Sequence, residues 1–251
     1  MILSWTFKRR ISVLGFFLLI IILFIGYIWY ATYTPASCFD KKQNQNEEGI
    51  DCGGANCIPC ASKMKEPVIL WSRFFSLKEG FIDAAALIEN QNEFLEATEL
   101  SYIFTIFDNK NVIIAKRENK TYLEPGAKLL ILEPEISIQN RTPQRAILEF
   151  NTNNIVWDKK TQNVLKIKVE KADTLLESEF PRVEVRIKNE FTDVYKNIEA
   201  DIVLWSGDRA VGVSQTLVDN LDINQDRDLV FTWPKAILGV DRAELFFRQL
   251  K

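Results

Sequence analysis

The chain opens with an uninterrupted apolar stretch. Residues 11–30, ISVLGFFLLIIILFIGYIWY, carry no charged side chain. A helix of this length, rising about 1.5 Å per residue, measures about 30 Å, which is the thickness of the apolar core of a bilayer. The stretch therefore predicts a transmembrane helix. Cleavable signal peptides have a shorter apolar region of about 7 to 15 residues, so we expect an uncleaved signal anchor.

After Pro67 the pattern changes to short runs in which apolar and polar residues alternate. In residues 182–188, RVEVRIK, every second residue is apolar, which is typical of antiparallel strands with one buried face. Similar runs recur at intervals of roughly 8 to 12 residues, with turn residues between them, as in β-sandwiches. They lie at 68–75, 82–88, 100–107, 111–117, 128–133, 145–150, 165–170, 198–205, 210–218, 228–233 and 242–248. The sequence predicts an all-β fold.

The two halves of this β region match each other at an offset of 99 residues. The matched pairs are Leu77 with Leu176, Phe81 with Phe180, Ile88 with Ile187, Asn90 with Asn189, and Val112 with Val211. Such a repeat indicates one module that occurs twice. We expect two tandem β-sandwiches, at 67–156 and 163–251. The polar join at 151–163 is compatible with a fixed or a hinged pair.

Charges beside the apolar stretch predict its orientation. Lys8, Arg9 and Arg10 directly precede it, and no positive charge follows before Lys41. Positive flanks remain in the cytoplasm, so we expect residues 1–10 to be a cytoplasmic tail and everything after residue 33 to lie outside the cell membrane. Four aromatic residues at the far end form a membrane-interface belt, namely Tyr27, Trp29, Tyr30 and Tyr33.

Composition excludes several functional classes. The 251 residues include 31 Lys and Arg against 34 Asp and Glu, a net charge of −3, which offers no electrostatic footprint for nucleic acid. The chain has no histidine, which removes the commonest general base and every Ser-His or Cys-His nucleophile pair. We therefore expect a protein that is not an enzyme.

All four cysteines lie in the predicted cysteine-rich segment 34–66, at Cys38, Cys52, Cys57 and Cys60. So short a segment cannot bury enough apolar surface to fold unaided. Outside the cytoplasm we expect two disulfides, with three pairings open. Alternatives are zinc on four thiolates, an iron-sulfur cluster on the C-x4-C-x2-C spacing, and a lipidated Cys38.

Oxygen-bearing side chains stand between these cysteines, as in calcium loops. The candidate ligands are Asp40, Asn44, Asn46, Glu48 and Asp51. Glu47 and three glycines accompany them, but Ala55 stands where a calcium loop would carry its bidentate glutamate. The alternatives are a bound Ca²⁺ and a solvated, turn-rich disulfide knot without an ion.

The pattern C-x-D, N-x-x-E-x-G-x-D-C-G-G and C-x-x-C resembles a short cysteine motif of surface proteins in bacteria and some protists. The residues that carry the resemblance are Cys38, Asp40, Asn44 or Asn46, Glu47 or Glu48, Gly49, Asp51, Cys52, Gly53, Gly54, Cys57 and Cys60. Two residues, Ala55 and Asn56, follow the glycine pair, where relatives often have one. The resemblance implies an exported, extracellular context without enzymatic activity.

The repeated module is similar to small immunoglobulin-like modules of bacterial envelope proteins, of the type named for a Phe-x-Leu-Tyr-Asp strand. The matching segments are 104–108, FTIFD, and 202–206, IVLWS, where Ser206 replaces the aspartate. This resemblance implies a binding or spacer module.

The expected function is therefore that of a membrane-anchored extracytoplasmic protein that displays two interaction or spacer modules to partners in the cell envelope. An alternative is an accessory scaffold subunit of an export or surface-filament complex. A carbohydrate platform of tryptophans is a weaker alternative, since single tryptophans in strands more often belong to the core. Its members would be Trp71, Trp157, Trp205 and Trp233.

Overall fold

A computed structural model describes residues 5–32, 37–44, 46–60, 63–139, 141–160 and 165–250. The chain divides into two compact units, Met1–Cys60 and Ala61–Lys251. Parts of several predicted features lie outside the described residues: residues 1–4 of the cytoplasmic tail, Tyr33 of the aromatic belt, residues 34–36, 45, 61 and 62 of the cysteine-rich segment, and residues 161–163 of the join. The predicted domain boundaries stay predictions.

The first unit contains helix α1, Trp5–Thr32. It includes the whole apolar stretch, and its segment Arg9–Ala31 is long and apolar enough to cross a membrane. All side chains from residue 9 to 31 are exposed, and the helix satisfies its main-chain hydrogen bonds internally, as a membrane span requires. The predicted helix is confirmed, while its orientation remains a prediction.

The first β module begins the second unit and consists of antiparallel strands. In the described residues these are β1 Val68–Lys78, β2 Phe81–Glu89, β3 Leu95–Asp108, β4 Ile113–Leu123, β5 Lys128–Ser137, β6 Pro143–Phe150 and β7 Val156–Lys159. One sheet has the order β1-β2-β5 and the other β4-β3-β6, with β7 paired to the start of β3. Only the four-residue strand β7 was not predicted, because it is too short to establish an alternation.

The second β module repeats this arrangement. Its described strands are β8 Ile167–Leu175, β9 Arg182–Asn189, β10 Tyr195–Ser206, β11 Arg209–Leu221, β12 Asp226–Thr232 and β13 Arg242–Gln249. The sheets have the orders β12-β9-β8 and β11-β10-β13, which correspond strand by strand to those of the first module. The all-β fold with two modules is thus as predicted.

Each module is a sandwich, because the inner faces of its two sheets share one core. In the first module Ile88 and Ile131 of one sheet pack with Phe104 and Ile106 of the other. In the second module Ile187 and Phe231 pack with Ile202 and Leu204. The alternate residues on these strands supply the two cores, as the period of 2 requires.

Asn90 and Asn189 show the repeat at atomic level. Asn90 directly follows β2, Asn189 is the last residue of β9, and both are buried. The side-chain amide of Asn90 donates to the carbonyl of Leu95 at 2.6 Å, and that of Asn189 donates to the carbonyl of Asp193 at 2.8 Å. Each Oδ1 accepts a main-chain N–H two residues later. The two asparagines therefore fasten equivalent loops.

Three of the predicted pairs do not fall on equivalent elements. Leu77 lies in β1 and Phe81 in β2, whereas Leu176 and the exposed Phe180 lie in the loop between β8 and β9. Val112 lies in the turn before β4, whereas Val211 lies inside β11. The turn comprises residues 109–112 in the first module but only 207–208 in the second, so a single offset cannot hold on both sides of it.

The two sandwiches are packed against each other. Ala85, Leu130 and Leu132 on the outer face of β1-β2-β5 join Val203 and Val213 of β11-β10-β13 in a third apolar cluster. Four sheets therefore follow one another as layers, with a core between each pair of neighbours.

Candidate functional site

The cysteine-rich segment contains two disulfides, Cys38–Cys57 and Cys52–Cys60, with Cα atoms 5.4 and 4.9 Å apart. Each bond encloses one cysteine of the other, so the two loops interlock along the sequence. In a segment without a sizeable apolar core, such cross-links restrict the unfolded chain and thereby stabilise the fold. Of the three pairings left open by the sequence, the structure has this one.

Close approaches explain the glycines of this segment. Gly53 and Gly54 have φ angles of +82° and +69°, and a Cβ on Gly54 would lie 2.4 Å from the carbonyl oxygen of Asn46. A Cβ on Gly49 would lie 3.0 Å from Sγ of Cys52. The left-handed backbone and these distances favour glycine at all three positions.

The predicted calcium ligands Asp40 and Asp51 accept hydrogen bonds from the segment itself. Both carboxylate oxygens of Asp51 accept the main-chain N–H of Lys41, at 2.9 and 3.0 Å. Asp40 accepts the side-chain amide of Asn44 at 2.7 Å and the main-chain N–H of Lys42 at 2.9 Å. The bond from Asn44 is the largest cause that lowers the pKa of Asp40. These carboxylates close turns, as aspartates commonly do in loops.

Glu47 is the buried acid of the segment. Its Oε2 accepts the main-chain N–H of Asn44 at 3.0 Å, and its Oε1 lies 3.1 Å from Sγ of Cys57. Cys38, Glu47 and Cys57 bring their ligand atoms within 4.8 Å of one another, but both sulfurs are in a disulfide and are not thiolates. Among the described acidic residues, Asp40, Glu48 and Asp51 do not belong to a group of three potential metal ligands within this distance. The side chain of Asn46 is exposed. Calcium binding remains a prediction.

The boundary between the sandwiches has an apolar and a polar half. In the apolar half Trp71 meets Trp205 edge to face, with ring centroids 6.0 Å apart. The guanidinium of Arg242 lies 4.8 Å from the centroid of the Trp205 ring. Trp205 is 7% exposed, so it is the central aromatic residue of this contact.

The polar half surrounds two buried acids of β10. Glu199 forms an ion pair with Arg248 of β13, and Asp201 accepts a hydrogen bond from Gln215 at 2.9 Å. Burial raises the pKa of Asp201 to about 7, with a further contribution from the charge of Glu199, while Gln215 and Arg248 oppose the shift. This carboxyl therefore titrates near neutral pH.

Hydrogen bonds in both directions join the two sandwiches in this polar half. Arg248 donates to the hydroxyl of Thr121 at 2.9 Å, and Tyr122 donates to the carbonyl of Gln249. Burial raises the pKa of Tyr122 to about 12. Together with the apolar half, these bonds determine the relative position of the modules.

A cleft of about 920 Å³ opens between the sandwiches. We call it the inter-module cleft. Its walls are residues 71–77 of β1 and 143–146 of β6 from the first module, and residues 209–213 of β11 and 233–238 from the second. The pair of modules thus creates a concave surface that neither module has alone.

The charged side chains of the inter-module cleft are mostly cationic. The set is Arg73, Arg145, Arg209 and Lys235, with Asp83 as the single acid. Asp83 accepts the main-chain N–H of Glu135 at 2.9 Å, and burial raises its pKa. Among the described residues, Arg73, Arg209 and Lys235 form no ion pair. Their charges are left for a ligand or for solvent.

The four tryptophans of the weaker carbohydrate alternative have different surroundings. Trp157 packs against the core of the first module, and Trp205 is in the boundary between the modules. Trp71 and Trp233 both line the inter-module cleft, where Trp233 donates its indole N–H to the carbonyl of Val213 at 2.9 Å. Sequence reasoning missed the cleft because its walls come from four separate segments.

No protein-family model matches the chain, and no curated protein matches it significantly.

Proposed function

We propose that this protein is a non-enzymatic membrane anchor that displays a rigid pair of β-sandwiches outside the cytoplasmic membrane. The observation that carries the proposal is the shared core between the sandwiches, in which Trp205 is almost fully buried. A contact with a buried apolar centre resists domain motion, whereas polar contacts between domains permit it. The pair is therefore suited to hold a binding surface at a defined place.

The anchor in this proposal is α1, with its basic N-terminal flank in the cytoplasm. The charge asymmetry across the helix supports this orientation. The two disulfides support it independently, because disulfides persist in oxidising compartments and are rare in the cytosol. In this proposal the cysteine-rich segment follows α1 in the sequence, and its two disulfides make it a stiff connection.

The modules are, in this proposal, immunoglobulin-like. If β1 to β6 are lettered A, B, C, C′, E and F, their sheets are A-B-E and C′-C-F. This is the arrangement of immunoglobulin-type sandwiches, in which the chain crosses between the sheets after C′. The strand β7 departs from it, because it pairs with β3.

The absence of histidine from the sequence supports a non-enzymatic role. The acids buried at the boundary are held by Arg248 and Gln215, and the acids of the cysteine-rich segment close turns. These contacts describe structural acids rather than a nucleophile with its base.

Protease treatment of intact cells tests the proposal. We expect the part of the chain after α1 to be degraded from outside while residues 1–10 remain protected, and a cytoplasmic marker serves as the control for cell integrity. Intact mass of the purified chain should show two disulfides, a loss of about 4 Da on the fully reduced chain, and no alkylation before reduction. Protection of residues 67–251 in intact cells and in spheroplasts would refute the topology.

Purification in mild detergent separates the display role from the alternative, an accessory scaffold in an export or surface-filament complex. A chain that elutes without other proteins agrees with display. Integral-membrane partners at fixed stoichiometry, which remain bound through two chromatographic steps, would favour the scaffold.

A further inference from the structure

The edge of β1 faces the inter-module cleft. Successive side chains of a strand point to opposite faces of its sheet, yet the consecutive residues 71–77 all line the cleft. The strand must therefore present its edge, with its main-chain groups, to this space. Between the bulges at Ile69/Trp71 and Ser76/Lys78, β1 pairs regularly with β2, so the regular segment is about 20 Å long at 3.3 Å per residue.

Within the described part of the chain this edge has no hydrogen-bonded partner strand, although β6 lies close beside it. β1 pairs with β2 alone, and no other main-chain or side-chain group bonds to the main chain of residues 71–77. At the cleft β6 and β11 each accept a side-chain hydrogen bond: Ser72 donates to the carbonyl of Ala146 in β6 at 3.1 Å, and Trp233 donates to the carbonyl of Val213 in β11. The main chain of residues 71–77 on the open edge of β1 is available to an added strand.

The repeat supplies an internal comparison. β8 is the equivalent edge strand of the second module, and its sequence IKVEKADTL carries four charges. Charges of this kind protect exposed edges from pairing with other chains. β1, with the sequence VILWSRFFSLK, has only Arg73 within its regular segment. The first module therefore lacks the protection that the second one has.

Charge complementarity indicates the chemistry of the added strand. Arg73, Arg209 and Lys235 are without ion pairs among the described residues, and Arg145 lies over the ring of Phe107 at 4.6 Å. We propose that the edge of β1 binds an extended acidic peptide segment of a partner protein, which adds to the sheet β1-β2-β5 and places its carboxylates among these cations. In this kind of binding, the addition of a strand to a sheet edge, main-chain hydrogen bonds provide the affinity and alternate side chains provide the specificity.

The inference rests on the proposed role as an interaction module and specifies its partner. The test uses the full chain in detergent micelles and a fluorescein-labelled octapeptide of alternating Thr and Glu, with anisotropy as the readout. A Thr-Lys octapeptide is the charge control. We expect the acidic peptide to bind at least tenfold more tightly.

N-methylation of the peptide tests strand addition without altering the protein. Two further Thr-Glu peptides carry N-methyl groups on the odd or on the even residues, and each thereby loses the N–H donors of one edge. We expect one of them to lose at least tenfold in affinity while the other retains it. Equal binding of all three peptides would show adsorption by charge alone and would overturn the proposal.

Matched variants locate the site. Replacing two cations of the cleft, Arg73→Gln with Arg209→Gln, should weaken binding about tenfold, as the loss of two partly exposed ion pairs predicts. The same charge change on the protected edge, Lys168→Gln with Lys171→Gln, should leave binding unchanged. Equal effects of the two double variants would overturn the assignment to β1.

Two other outcomes would refute the inference. One is no binding of the Thr-Glu peptide at about 1 mM, well above the range of specific peptide recognition. The other is preferred binding of polygalacturonate, which would identify an acidic glycan as the ligand. Neither outcome affects the protease test of topology, so failure of this inference is distinguishable from failure of the proposed function.

Discussion

The indole rings of Trp71 and Trp205 meet edge to face across the boundary between the sandwiches, with their planes at 89°. Within the described part of the chain neither indole N–H has a hydrogen-bond partner. A buried donor without a partner costs free energy, so the contact is stabilised by the rings and not by their polar atoms.

We therefore expect Trp205→Phe to change the free energy of unfolding by less than about 1.5 kcal/mol, because it keeps an aromatic ring and removes an unpaired donor. Trp205→Ala should lower it by about 3–5 kcal/mol through the cavity it leaves. Urea unfolding of the purified chain, followed by circular dichroism, measures both. An equal loss in the two variants would contradict this expectation.

Asp201 makes stability depend on pH. Its folded pKa of about 7 lies above the ordinary value of 3.8, so the folded state keeps a proton that the unfolded state loses. The free energy of unfolding therefore falls as the pH rises from about 4 to about 7, by about 1.4 kcal/mol for each unit of pKa shift. Glu199 and Arg248 face this carboxyl and act in opposite directions.

Asp201→Asn should remove the loss of unfolding free energy that ionisation of Asp201 causes as the pH rises. We expect the variant to unfold like the parent chain near pH 4 and to be more stable by a few kcal/mol at pH 8. Asp228→Asn is the control, since Arg186 lowers the pKa of that exposed carboxyl and its loss should give no gain at pH 8. Parallel pH profiles for the parent chain and Asp201→Asn would contradict the assignment.

Asn90 is expected to be a critical residue of the first module. Its amide nitrogen lies within hydrogen-bond distance of the carbonyls of Leu95, Leu123 and Glu124, which share its two N–H groups, so Asn90→Ala removes the donor of these acceptors and should cost about 2–4 kcal/mol. Asn189→Ala, with two such bonds, should cost less. Asn109→Ala in an exposed turn should stay within about 0.5 kcal/mol. Thermal unfolding in the same detergent ranks the three.

The disulfide-bonded segment should keep its structure without calcium. Asp40 and Asp51 already accept hydrogen bonds within the segment, so we expect the same rate of proteolysis between residues 38 and 60 in EDTA and in about 5 mM Ca²⁺, a concentration above the range of extracellular calcium modules. Reduction of the disulfides is the positive control and should accelerate cleavage. Protection by calcium of tenfold or more would support the calcium alternative instead.

Local patterns in the sequence are sufficient to predict the helix, the strands and the repeat of the β module. The length of the apolar run predicts α1, because a helix satisfies its own main chain. The alternation of apolar and polar residues in segments such as 182–188 predicts strands, because one face of such a strand is buried and the other is exposed to solvent. The buried Asn90 and Asn189 follow from the repeat, since the same local loop needs the same donor.

Only the tertiary structure decided how the sandwiches join, which cysteines pair, and where the cleft lies. These features depend on contacts between residues far apart in the chain. The packing between the sandwiches does leave a signal in the sequence. Three segments are apolar without alternation, as in strands buried on both faces: Ala84–Ile88, Leu129–Leu132 and Ile202–Trp205. What covers the second face of such a strand is determined by the partner sheet, and a strand's own residues do not identify that partner.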